Sequence, residues 1–532
     1  MDMHEHESWQ RKLFPLEKRI KGFSEGYRQN IALLGDDGEE ISYLLANYLK
    51  TDRLKGIIPI HTTTAYIDAK EFLKCAAFSL LSAYCHKADT LDNLINYTVE
   101  TLPHTTQYIK ETFRKNTPSF LDALEIINKF VNETGRKCLL IIEEFLELKG
   151  LFPQCFKDFS TFLILQRNCM VVLTSCNPRG AEKVLASELN LLFGNFETVA
   201  FNERVFLDNY RYLQDILKPL SPSPLFLSFF VSIVGDNIIY HDLISKAIKE
   251  NYQPENEEAS IVSVIAEGFF LKETYFFQKF INKIEVLKER FRDYLSIIKI
   301  LIALSDGYLR KKELASLHIC EPKELGMKLV KLCDLNYVEN VGNIYKIKDT
   351  LFSFWLSHVF KFHFLPPLFG SHKRKILWRH NMYEEIAIFK EHFMKSQLNK
   401  VVELIASFKN DTLKSGRKRY TLPSVQRTKI ISYPHKDFYI LIGEGKEIIF
   451  AGIKVKDVEE SDIFEFIERG KGINGKRVKK IFIALEKLSP TAKLVAKNHK
   501  LLLWDIDEIN YLMRVYNKPI ISIQQEQQRC ES

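Results

Sequence analysis

At 532 residues the chain is too long for one hydrophobic core, and three or four domains are expected. The composition is that of an ordinary soluble globular protein, and a net charge of +8 permits nucleic-acid contact without demanding it. No apolar run reaches the roughly 18 residues of a membrane span, and the start, Met1-Asp-Met-His-Glu-His-Glu7, is too polar for a signal peptide, so a cytoplasmic chain with no membrane partner is expected.

The first predicted strand is the apolar run Ile31 to Leu34, followed by a turn at Gly35 and an amphipathic helix beginning at Tyr43-Leu44-Leu45. This is the strand–loop–helix order of a phosphate-binding loop, in which backbone N–H groups wrap a triphosphate and a lysine reaches its terminal phosphates. Counting G-x-x-x-x-G-K-[ST] from Gly35 puts Glu40 on the second glycine, Ile41 on the lysine and Ser42 on the hydroxyl residue, so only Gly35 and Ser42 survive. Gly35, Gly38 and Ser42 are the candidate cofactor-binding residues. Asp36, Asp37, Glu39 and Glu40 surround the pocket with carboxylates, each contact near 4 Å costing a phosphate about 1 to 4 kcal/mol. ATP and Mg²⁺ are therefore candidate cofactors that this loop holds weakly, and the alternative reading is an ordinary acidic turn.

The next apolar strand begins at Lys137 and ends in Glu143 and Glu144, the form of a Walker B strand. There the first carboxylate holds the magnesium water shell and the second orients an attacking water, which makes Glu143 and Glu144 candidate catalytic residues. A third strand from Cys169 ends in Thr174, Ser175 and Asn177, where a residue sensing the γ-phosphate would sit.

In this order the three strands resemble the archaeal-type ATPase family, a branch of the P-loop NTPases close to the AAA+ and STAND groups. The family's leader and I-A-L-L-G strand are similar to Phe23 through Gly35, its D-E-F to Glu143-Glu144-Phe145, and its L-F-G-R-F-E run to Leu191-Leu-Phe-Gly-Asn-Phe-Glu197. The resemblance implies an α/β fold with a P-loop NTPase-like parallel sheet over residues 1–202. The chain departs from the family in the missing lysine, the missing second glycine and Glu143 where aspartate is usual.

Residues 203–290 carry apolar positions at helical spacing, as at Phe206, Tyr210, Leu213 and Leu217, and read as a helical lid. Residues 291–370 read as a winged helix-turn-helix: helices near 292–303, 311–317 and 321–335, then a hairpin turning at Gly342-Asn343. Lys323, Lys328 and Lys331 on the third helix, with Lys346 and Lys348 on the wing, are the candidate DNA contacts. A solvated lysine face on a module that only packs against its neighbours is the alternative.

The last region, 371–518, begins with a helical stretch and a basic loop around Lys414 to Arg419. It continues as a hairpin from Asp437 to Val455, a strand at 480–484, a helix at 490–498 and a strand at 501–505, followed by a polar tail over 519–532. This succession resembles the PD-(D/E)XK restriction-endonuclease-like domain that often ends members of this ATPase family. The resemblance implies a metal-binding aspartate at Asp437 and a catalytic lysine at Lys454. Gly452 stands where the second carboxylate belongs, and Glu384 or Glu385 are the nearest substitutes.

Nine cysteines lie scattered without metal-ligand spacing and read as reduced thiols. Both motif sets have lost a group that balances charge, so a binding or regulatory module is expected, with DNA, a protein partner or an oligomer as its partners. An ATP-switched, Mg²⁺-dependent nuclease and a structural partner of an intact paralogue are the alternatives.

Overall fold

The computed structural model describes residues 7–521 apart from 36, 52–53, 55, 65–66, 190–195, 202–205, 364–370, 416–417, 434–436 and 473–477. Asp36, Leu191 through Asn195 and the tail beyond Ile521 therefore lie outside the described residues. The chain forms two compact units, residues 1–204 with 237–239, and residues 205–236 with 240–532.

The first unit runs α1 (Glu7–Ser24), β1 (Asn30–Leu34), α2 (Gly38–Leu49), β2 (Ile57–Thr63), α3 (Ala69–Cys85), α4 (Leu91–Thr98), α5 (Pro103–Phe113), α6 (Phe120–Thr134) and β3 (Lys137–Glu143). It continues through α7 (Leu148–Leu151), α8 (Cys155–Leu165), β4 (Cys169–Ser175), α9 (Pro178–Ser187) and β5 (Phe196–Ala200). All five strands are parallel, in the order β2-β3-β4-β1-β5. Helices cover both faces, which is why β1, β3 and β4 are continuous apolar runs and are buried almost throughout. This is a P-loop NTPase-like α/β fold. Because β1 lies between β4 and β5, the order reverses there, and the carboxyl ends of β1, β3 and β4 meet at the switch point where such sheets bind ligands.

The second unit opens with α10 (Phe206–Ile216), α11 (Pro224–Val234), α12 (Ile238–Asn251), α13 (Glu257–Ile265) and α14 (Tyr275–Arg290). Then come α15 (Tyr294–Ser305), α16 (Lys311–Ser316), α17 (Pro322–Asp334) and the antiparallel pair β6 (Val338–Val341) and β7 (Ile344–Ile347), with Arg310 bridging to Ile344. Helices α18 (Thr350–Trp355), α19 (Lys361–His363), α20 (Ser371–Met394) and α21 (Gln397–Ala406) lead to an antiparallel hairpin of β8 (Asp411–Ser415) and β9 (Lys418–Leu422). The last layer is β10 (Arg427–Tyr433), β11 (Phe438–Glu444), β12 (Ile448–Lys454), α22 (Glu460–Arg469), β13 (Val478–Ala484), α23 (Pro490–Asn498), β14 (Leu502–Trp504) and α24 (Ile506–Val515). Its sheet follows chain order, antiparallel from β10 to β12 and parallel from β12 to β14.

Two predicted features differ. The basic loop around Lys414 is the β8–β9 hairpin, and an unpredicted strand, β10, precedes the β11–β12 hairpin. Strand β10 escapes a pattern search because it is an edge strand whose first four residues are all exposed, so it carries no alternation of buried and exposed positions.

Candidate functional site

The helix that should begin at Tyr43 begins at Gly38. Asp37 is its N-cap, its Oδ1 accepting from the N–H groups of Glu39 (2.9 Å) and Glu40 (3.3 Å), and the acidic first turn suits the positive end of the helix. Only three residues, Gly35 to Asp37, join β1 to α2. The donors that a bound phosphate would take at this helix end are held by the chain's own carboxylate. Ile41, in the lysine's place, is 1% exposed, and its Cδ1 lies 3.0 Å from where a Cβ on Gly35 would stand.

Glu143 and Glu144 both reach this site, by different routes. Glu143 accepts from Ser42 Oγ at 2.7 Å through one oxygen and faces His61 Nε2 at 2.7 Å through the other. Glu144 has a left-handed backbone, φ 51°, held where Thr64 Oγ1 donates to its carbonyl (2.6 Å) and its N–H donates to Thr174 Oγ1 (3.3 Å). Its carboxylate turns back to accept from Cys176 N–H at 3.0 and 3.1 Å, and Oε1 lies 2.7 Å from the point a Cβ on Gly38 would occupy. A side chain at position 38 would collide with it. Burial pushes the Glu144 carboxyl above its usual range, against the pull of the Cys176 N–H. Burial and Glu144 together push the Cys176 thiol up to about 12, so it stays protonated.

Gly35, Gly38, Ser42, Glu143 and Glu144 thus converge at one end of the sheet. Asn177, at the expected sensor position, caps α9, accepting from Gly180 N–H at 3.0 Å. Sequence reading missed His61, Thr64 and Cys176, since a lone histidine in a strand carries no spacing signal. Among the described residues no group of three or more His, Cys, Asp or Glu side chains is arranged to hold a metal.

The other candidates scatter. Asp437, φ 47°, pairs with Lys456 at 2.8 Å, and Lys454 Nζ donates to Asp462 Oδ1 at 3.0 Å. The backbone brings the two together, since Phe438 is the register partner of Lys454, but their charges go to different partners. A Cβ on Gly452 would stand 2.6 Å from the Phe466 ring, so this glycine makes room for a core aromatic. Glu384 pairs with His380.

Of the five lysines, Lys323 is exposed on α17. Lys328 is held by Asp293 (2.7 Å) and Glu324 (3.2 Å), Lys331 donates to Arg290 O (3.0 Å), and Lys348 donates to Asn336. Lys346 is half-buried and lines a cavity. The turn between β6 and β7 is itself covered: Asn343 N–H donates to Thr412 O (3.1 Å) and Thr412 N–H to Asn343 Oδ1 (2.9 Å). Gly342, φ 87°, approaches so closely that a Cβ would fall 1.8 Å from Thr412 O. Beneath it, Arg310 grips the buried Asp411 through two 2.7 Å bonds, and Tyr516 OH donates to the same carboxylate at 2.7 Å.

No protein-family model and no curated protein matches the chain. Among solved structures it is similar to a Walker-type ATPase of Pyrococcus abyssi, at 16% identity and TM-score 0.46 over 64% of this chain and 94% of that one. It is also similar to the Orc1 protein of Aeropyrum pernix, solved in complex with DNA (13% identity, TM-score 0.34, 65% of this chain and 91% of that one). A third similar structure is the Cdc6 protein of Pyrobaculum aerophilum (12% identity, TM-score 0.35, 72% and 96%). Among the described residues no helix is long and apolar enough to cross a membrane.

Proposed function

We propose that this chain is an ATPase-family protein whose nucleotide and nuclease sites are degenerate, and that it acts as a DNA-binding or protein-binding regulatory module. The observation that carries this reading is the occupied helix end at the sheet's switch point, where Asp37 caps α2 and the Glu144 carboxylate lies against Gly38. A triphosphate brought there meets carboxylates and finds no lysine. Calorimetric titration with Mg-ATP is expected to give no saturable heat; micromolar binding that is lost in Ser42→Ala would overturn the reading.

We propose further that α15 to β7 form a winged helix and that α21 to α24 form a restriction-endonuclease-like domain without cleavage activity. The helix–helix–helix–hairpin order supports the first, and the antiparallel-then-parallel sheet flanked by helices supports the second. The exposed face of α17 presents Lys323 with Met327 and Val330 at helical spacing, a surface that is part basic and part apolar. DNA binding through it is nonspecific and salt-sensitive, and Lys323→Ala weakens all sequences alike in a gel shift. Strong preference for one duplex at physiological salt would contradict this.

The nuclease reading has a separate test. With Asp437 and Lys454 each engaged in an ion pair, the protein is expected to leave plasmid DNA intact in Mg²⁺. Cleavage that vanishes in Asp437→Ala would make it an enzyme.

A further inference from the structure

The second unit holds a cavity of about 230 Å³ lined from the end of α11, from β7, from α18 and from the turn after α24. Three cations reach its wall, Lys346, Arg514 and Lys518, against one carboxylate, Asp236. Arg514 takes that carboxylate, with Nη1 3.0 Å from Oδ2. Neither the Lys346 nor the Lys518 ammonium makes a close ion pair among the described residues; Glu339 stands opposite Lys346 in the β6–β7 register and Glu403 acts on Lys518 from outside the lining, so the wall itself is more cationic than anionic. The Thr350 and Ser353 hydroxyls line the same space.

Lys346 is half-buried, and desolvation pulls it below the ordinary lysine value against the pull of Glu339 and Asp236. Two half-buried lysines beside hydroxyl donors suit an anion with several acceptor oxygens. The volume lies under the roughly 300 to 1,000 Å³ of drug-sized sites, which excludes a nucleic-acid strand and limits an organic ligand to metabolite size.

We infer that this cavity binds a small phosphate monoester, whose dianionic head is neutralised by Lys346 and Lys518 and hydrogen-bonded by Thr350 and Ser353. Lys346 is then a ligand-binding residue and not a contact on a nucleic-acid surface. The inference does not rest on the state of the nucleotide site.

The test is calorimetric titration of the full chain with glycerol phosphate, using glycerol as the uncharged control. Saturable binding of glycerol phosphate alone is expected, weakened about tenfold or more in Lys346→Met and measurably in Ser353→Ala. Lys346→Met removes a half-buried charge that desolvation disfavours, so its ligand-free Tm stays close to that of the parent, which separates loss of the site from loss of the fold. The inference fails if glycerol phosphate gives no saturable binding at millimolar concentration. It also fails if both cavity variants bind as the parent does, or if Lys323→Met on the exposed face of α17 weakens binding as much as Lys346→Met.

Discussion

The two units each cover a surface that their motifs would leave open, and they do so by different means. In the first unit the cover is local to the motifs and not to the sequence: Asp37 and Ile41 belong to the loop and helix they occlude, and Glu144, although 106 residues along from Gly38, directly follows the second motif strand. In the second the cover is distant, for the β6–β7 turn is capped by the β8–β9 hairpin, 69 residues further along between Asn343 and Thr412. A local cover can be altered by single substitutions in the motif. A distant cover depends on the packing of a separate element, anchored at Arg310 and Asp411.

The largest expected effect breaks the distant cover. Asp411→Ala strands the Arg310 guanidinium beside Tyr516 and should cost about 3 to 5 kcal/mol in denaturant unfolding, with Glu313 offsetting part of it. Gly38→Ala attacks the local cover by driving a methyl into Glu144 Oε1, so that the carboxylate leaves the Cys176 N–H; a loss of about 1 to 3 kcal/mol is expected. If Gly38→Ala proves neutral, the carboxylate is not seated as described. Asn343→Ala removes one bond of the β6–β7 turn and should cost about 0.5 to 1.5 kcal/mol by the same measurement.

The smallest effect separates the two covers by the sign of their pH dependence. Burial raises the folded-state value of Glu144, so its contribution to stability is fully present below the unfolded carboxylate value and is lost as pH rises through the raised one. Burial alone would push Asp411 upward too, but Arg310, the Lys409 N–H and Tyr516 outweigh it and hold it below its usual range. Its contribution is present above the unfolded value and is lost as pH falls through the depressed one. The Tm of Glu144→Gln relative to the parent should therefore climb as pH rises from acid to neutral, while that of Asp411→Asn should fall. Parallel slopes would erase the distinction.

The local cover was largely legible in the sequence. The apolar runs of β1, β3 and β4 gave the sheet, and the count from Gly35 put Ile41 in the lysine's place, because those signals lie within a few residues of one another. The sequence places the start of α2 at Tyr43 although Asp37 followed by Glu39 and Glu40 is a helix-start signal, because the phosphate-loop count assigns the same acids to the loop. The distant cover was not legible. Nothing near Gly342 announces Thr412, and β8, β9 and β10 carry charged residues where a pattern search looks for alternation. Gly452 illustrates the same limit, for its reason is the Phe466 ring, which only the fold brings near.

The covered β6–β7 turn also sets an order of events on each newly made chain. Gly342 and Asn343 leave the ribosome 69 residues before Thr412 follows Asn343, and at roughly 5 to 20 residues per second that interval lasts about 3 to 14 s. A hairpin of four-residue strands forms in about 1 to 10 μs, so the turn is complete long before its cover exists. Every molecule therefore passes through a nascent state in which the β6–β7 turn has no cover.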